Sequence, residues 1–256
     1  MRLAKEQASE VAKVDFFTTQ YPEDHSIIPE YFMVLPDLER SVLDMAHFDK
    51  PRKFPLIKDI LDRLYENSDA EYLVYTNVDI GLMPNFYSWV TKQIQTGHDA
   101  LIINRRRLED KYHTVEDLPL IFKDKGKPHP GFDCFVFHRS IYPKMRLDAI
   151  CVGAPFIGVT LAHNLICFAK NLRLFDEEWL TFHIGMLLFP KRDQAYYWYN
   201  RKQFNVIWEE HFLPVIDVRK VPYAERNLFS RYWKWGMNPS LFVFKLLGLE
   251  LKRFFA

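Results

Sequence analysis

The chain has 256 residues, 48% of them hydrophobic, and a formal charge of +1 from 34 basic and 33 acidic side chains. That is enough apolar content for one large domain or a domain with an appendage. The near balance of charge gives no electrostatic pull toward nucleic acid, and no zinc-knuckle or RNP-like motif is present, so nucleic-acid binding is not expected. Cys134, Cys151 and Cys167 lie in apolar surroundings without CxxC spacing. They read as buried thiols in a reducing compartment rather than as a disulfide framework or zinc site. The opening MRLAKEQASEVAKV lacks the apolar core of a signal peptide, and no run approaches the ~20 apolar residues of a membrane span, so a cytoplasmic location is expected. Six Trp, 13 Tyr and 22 Phe suit a dense core, a sugar-stacking surface or a membrane interface.

Residues 4–13 look helical, and VDFFTTQ (14–20) and residues 31–35 read as strands. A polar connection leads to Pro55, which suits the first turn of a helix whose Leu56, Ile60, Leu61 and Leu64 recur at helical spacing. EYLVYTNVDIGLMP follows as a buried strand whose apolar run stops at Asn77 and Asp79 before Pro84. A helix over 85–96 and a second buried strand, DALIINRRR, come next. This alternation predicts an α/β sheet with crossover helices. After a polar loop, GFDCFVFHRSIY reads as a strand entering a helix or turn, residues 154–172 as a helix, and LTFHIG (180–185) as a strand. The domain is expected to span 1–205, with 206–256 as an aromatic and basic appendage.

A strand that ends in a carboxylate presents it at the edge where such folds bind ligands, so Asp79 is either a metal or phosphosugar ligand or a turn-forming Asp bonded to its own backbone. Arg105, Arg106 and Arg107 end the next strand, and side-chain alternation lets at most two of them reach one site. Asp133 in HPGFDCF is a costly carboxylate in an apolar strand, tuned by desolvation toward a general base or else paired with Arg139 or another Arg. His129 and His138 are secondary candidates.

The order of these elements, with Asn77-Val78-Asp79 ending one strand, GFDCFVFHR in another and His183-Ile184-Gly185 in a later one, resembles the nucleotide-diphosphosugar glycosyltransferases of the GT-A fold. The resemblance covers about residues 1–200 and implies a GT-A-like, Rossmann-like mixed sheet flanked by helices. It implies that Asp79, at the family's Asp-any-Asp position, and His183 hold Mn2+ or Mg2+ on the donor diphosphate. Asn77 offers a neutral carbonyl that binds the metal weakly, contacts the ribose, or does neither. Arg52, Arg105 and Arg106 are placed for the diphosphate, and Asp24, in the Glu23-Asp24-His25 loop, for the nucleotide. Two departures stand out: GAPFIG carries no acidic base where inverting members place one, and the chain opens on a helix-like segment where members begin on a strand, so a first strand is expected to be trimmed or missing. Asp133 takes the base role instead.

The segment NLFSRYWKWGMNPSLFVFKLLGLELKRFFA mixes aromatic and basic residues, as a helix lying on an anionic membrane or docked at an interface would. The expected function is sugar transfer from a nucleotide-diphosphate donor to a glycan or lipid-linked acceptor, peripheral at the membrane. The alternative is a non-catalytic glycan- or partner-binding module on a degenerate fold of this kind. A nucleotidyltransferase would want a glycine-rich phosphate loop that the N-terminal region lacks.

Overall fold

The computed structural model describes residues 1–187 and 193–254, with side chains through 250. In chain order the elements are α1 (Arg2–Gln7), β1 (Phe17–Thr18), β2 (Met33–Val34), α2 (Ile57–Glu66), β3 (Tyr72–Thr76), β4 (Gly81–Leu82), α3 (Phe86–Gln95), β5 (Ala100–Ile103) and β6 (Arg105–Leu108). They continue with α4 (Leu118–Ile121), β7 (Lys127–Pro128), β8 (Cys134–His138), α5 (Ile157–Phe168), β9 (Leu172–Phe175), β10 (Thr181–Ile184), α6 (Gln194–Ile207), α7 (Leu228–Met237) and α8 (Val243–Phe254). The main sheet has the order β3-β8-β5-β9, with β8 antiparallel to both neighbours and β9 parallel to β5. A second sheet runs β4-β10-β6-β7, in which β10 is parallel to β6 and antiparallel to β4. β1 and β2 form a short parallel pair. The molecule is mixed α/β, with helices packed against its sheets.

Alternation along the main sheet sorts its side chains into two layers. Ala100, Ile102, Phe135 and Phe137 join Leu61 of α2 and Leu161 and Leu165 of α5 on one face. Leu101, Ile103, Cys134 and Val136 join Phe86 and Val90 of α3 and Ala4 of α1 on the other. With both faces covered, the strands read as continuous apolar runs, ALII and CFVF, rather than alternating ones. Each fully buried Phe or Leu contributes about 1.5–3 kcal/mol through removal from water. The one carboxylate buried in α2, Asp59, is held by a bidentate fork from Arg40 at 2.8 and 2.7 Å.

Three local expectations change. The predicted helix over 4–13 ends at Gln7, because only Ala4 and Ala8 of that stretch are buried and they anchor little area. DALIINRRR is two strands, since the ladder breaks at Asn104 and the chain passes from the main sheet into the second. The 154–172 helix stops at Phe168, and residues 172–175 are β9, which closes the main sheet.

Of segment 206–256, expected as an appendage, the stretch from Ile207 to Leu246 is built into the main core. Ile207, Trp208, Phe212, Trp235, Leu241 and Leu246 share one cluster with α5 and the sheet. No helix among the described residues is long and apolar enough to cross a membrane. The three cysteines are free thiols, two of them fully buried, and burial pushes Cys151 and Cys167 up to about 12, leaving them unreactive near neutral pH.

Candidate functional site

Four chain segments meet where β3 and β5 end. β3 leaves the sheet at Thr76 into a tight turn closed by the Ile80 N–H donating to Asn77 O at 3.1 Å. The turn buries Ile80, leaves Val78 fully exposed and holds Asp79 with its side chain 54% exposed. Gly81 then starts β4 opposite Phe182 of β10, where a Cβ would lie 2.3 Å from the ring, so any other residue would force the Phe182 ring to move. This pairing brings His183 to Asp79, with Nε2 3.1 Å from Oδ2.

β5 delivers the arginines. In β6, Arg105 is in register with Thr181 and Arg107 with His183, so these four share one face of the second sheet and Arg106 takes the other. Arg105 reaches Asp133 at 3.3 Å. Arg106 is buried, donating to Ile121 O at 2.9 Å and to Asp124 O and packing over the Phe182 ring. Its guanidinium is spent tying β6 to the α4 turn, which separates it from the diphosphate role expected for it. Arg107 is also tied down, donating to Met186 O and Pro128 O.

The third segment is the run from His129 to Asp133 that enters β8. It is clamped from three sides: the His129 N–H donates to Arg105 O, Asn104 Nδ2 to His129 O, and the Phe132 N–H to Ser240 Oγ at 3.0 Å. Thr76 Oγ1 donates to the Asp133 carbonyl at 3.3 Å, tying the run to the end of β3. Gly158, near the start of α5, packs so closely that a Cβ would sit 2.7 Å from Phe132 O. Asp133 is thereby held with its side chain only 11% exposed, Oδ2 lying 3.7 Å from His129 Nε2. Burial pushes its carboxyl up to about 6, against the attraction of Arg105. Burial, with Arg105, Arg107 and His183 nearby, pushes His129 down to about 3, so its imidazole is neutral at physiological pH.

Asn104 Oδ1, Arg105 Nε, His129 Nδ1, Asp133 Oδ2, Thr181 Oγ1 and His183 Nδ1 are all buried with no hydrogen-bond partner in the protein. Each such atom costs about 1–3 kcal/mol, and native chains keep few of them. Six in one neighbourhood leave hydrogen bonds that ordered water or a polar ligand would complete.

Among the sequence-derived candidates, Asp79, His183, Arg105 and Asp133 are brought together. Asn77 stands beside them at the turn, its Oδ1 accepting from Tyr75 Oη at 3.3 Å. Asp24 is half-buried in a 3-10 turn (Pro22–Ile27), and Arg52 is exposed with its guanidinium over the Phe54 ring. Neither has a hydrogen bond or ion pair to the cluster among the described residues. Arg139 is not the partner of Asp133; it donates to the Ser68, Ala70 and Tyr65 carbonyls. His138 sits at the far end of β8 beside Glu71 and Ser140. Asn104, Thr181 and Ser240 were not expected. A polar residue ending the ALII run signals Asn104, whereas Ser240 carries no local signal, being 108 residues from its partner.

Asp79 and His183 offer a carboxylate oxygen and an imidazole nitrogen, and the nitrogen suits a borderline cation such as Mn2+ better than Mg2+, which prefers oxygen ligands. Among the described residues no group of three or more His, Cys, Asp or Glu is gathered for a metal. No family model matches the chain, and a search of curated proteins finds no match.

Proposed function

We propose that this chain is a GT-A-like glycosyltransferase that moves a sugar from a nucleotide-diphosphate donor to an acceptor hydroxyl. The observation that carries the reading is the juxtaposition of Asp79 and His183 with Asp133, Arg105 and His129, amid unpaired buried polar atoms. Asp133 is the general base. It accepts the acceptor's proton as that oxygen bonds to the sugar's anomeric carbon and the bond to the diphosphate oxygen breaks. Neutral His129 flanks Oδ2 and helps fix where the hydroxyl docks. As Asp133 becomes neutral, the Arg105 charge loses its partner and is free to favour the negative leaving group. A divalent ion on Asp79 and His183 would neutralise the charge that builds on the diphosphate.

Thermal-shift screening of nucleotide sugars with and without Mn2+ tests this, followed by turnover of whichever donor binds. Asp79→Asn is expected to abolish the metal-dependent shift and donor turnover. Undiminished turnover in that variant removes the metal assignment.

The pairing of Asp79 with His183, with no third ligand of its kind among the described residues, favours a second reading, a glycan- or partner-binding module. A shift with glycans but with no donor, with or without Mn2+, would select it.

A further inference from the structure

Three enclosed guanidiniums of this chain have an acid to answer them. Arg105 reaches Asp133, Arg231 meets Glu250 at 3.1 Å, and Arg106 is attracted by the Asp124 carboxylate. Arg107 has none. It is 8% exposed, and its partners among the described residues are two carbonyls, Pro128 O and Met186 O. The side chains outside the described residues, at 188–192 and 251–256, include no Asp or Glu. The carbonyls engage Nε and one N–H on each terminal nitrogen, which leaves two of its five N–H groups unbonded. They supply dipoles but no countercharge. Burial first, and then the charge of Arg105, push the Arg107 pKa below the usual guanidinium value, the mark of a cation that nothing nearby offsets.

The surroundings add donors that the fold does not use. Thr181 stands opposite Arg105, and His183 opposite Arg107, on one face of two neighbouring strands. The Thr181 hydroxyl is fully buried without a partner, and so is Arg105 Nε. The acids at this face do not balance the two guanidiniums. Asp133 is the single enclosed one and its burial favours the neutral form, while Asp79 is turned to His183 and half exposed. That exposed end, opposite Arg107, is where the face opens to solvent. A water molecule would complete the hydrogen bonds of Thr181 and Arg105 but leave the Arg107 charge unanswered. An oxyanion does both, because guanidinium forks and hydroxyls donate to its several oxygens at once.

We infer that Arg107, with Arg105 and Thr181, seats an oxyanion of the ligand, a phosphate or a carboxylate, using the protein's own donors. The seat requires no metal ion and does not depend on the transferase reading. Only the source of the oxyanion, a donor diphosphate or an acidic sugar, rests on that reading.

Thermal shift of the full chain in EDTA tests the seat, with inorganic phosphate, pyrophosphate and glucuronate as probes and chloride at matched ionic strength as reference. A saturable rise beyond chloride is expected with at least one probe. A response to phosphate or pyrophosphate alone traces the oxyanion to a diphosphate, and a response to glucuronate alone to a carboxylate-bearing sugar. Thr181→Val removes a hydroxyl that has no partner in the free protein. The free variant should therefore melt no lower than the wild type, yet bind the active probe about tenfold more weakly, as the loss of one hydrogen bond to a charged group implies. Arg107→Gln should abolish the shift, and if that variant does not fold, Thr181→Val decides alone. No saturable shift with any probe, or wild-type affinity in Thr181→Val, overturns the inference. An anion shift without turnover of any nucleotide sugar keeps the seat and removes the transferase reading; turnover without an anion shift does the reverse.

Discussion

Asp133 carries two opposed demands. Its carboxylate is charged at neutral pH yet nearly enclosed, and burial lifts its titration to about 6 despite Arg105. Because the folded value lies above the unfolded one, its contribution to stability is present at acid pH and is lost as pH rises from about 4 to about 6, staying lost above that. Asp133→Asn is therefore expected to stabilise the fold at pH 7.5 by about 2–3 kcal/mol, since each tenfold change in proton affinity between the two states corresponds to about 1.4 kcal/mol. The gain should vanish near pH 4, as thermal unfolding at the two pH values would show. The same substitution removes the proposed base and should lower donor turnover by about 10²–10⁴-fold. A variant that is both more stable and less active would mark a position kept for chemistry; unchanged stability at both pH values would mean that Arg105 compensates the buried charge in full.

The elements that hold the site differ in how far the sequence announces them. The ends of β3 and β5 are legible because an unbroken apolar run stops abruptly at a polar residue, Asn77 in one and Asn104 in the other. Asp133 is legible as a charge in an otherwise apolar strand. What the sequence hides is set by distant contacts: the passage of the chain between sheets at Asn104, the diversion of Arg106 to the α4 carbonyls, and the bond from Phe132 to Ser240. The C-terminal segment misleads for a related reason. Its apolar residues lie on two faces of α7, and only the structure separates Trp235 within from Trp233 without. The Ser240 hydroxyl is buried, and its loss leaves the Phe132 N–H unpaired, so Ser240→Ala should cost about 1–3 kcal/mol in urea unfolding. Because that bond steadies the run carrying His129 and Asp133, ligand-induced shifts should weaken along with stability. A loss of stability with ligand binding intact would confine Ser240 to the core.

At the scale of the whole molecule, two buried histidines set the response to acid. His163 of α5 is fully enclosed against Phe204, Trp208 and Phe212, with Nδ1 2.8 Å from Val159 O, and burial pushes it down to about 4. His129 lies lower still, at about 3. Below an unfolded value of about 6.5 the unfolded chain takes up protons that the folded one refuses. Stability is then full above that value and falls as pH drops toward 4, by about 2 kcal/mol per histidine at pH 5. Asp133 works the other way between about 4 and 6 but is a single group. The thermal midpoint followed by tryptophan fluorescence should decline from pH 7 to pH 5, and a flat profile would mean that one of the two histidines accepts a proton in place. The passage at Asn104 has another consequence for the whole fold. Side chains in a strand alternate, so the length of the chain between the two sheets decides which arginine faces the site. Deleting Asn104 and drawing β6 back by one position would put Arg106 where Arg105 meets Asp133 and Arg107 where Arg106 meets the α4 carbonyls, but it would set the apolar Leu108 opposite His183 in place of Arg107. Insertions and deletions are commonly absorbed between strands, but at this junction the count of residues decides which side chain stands opposite His183.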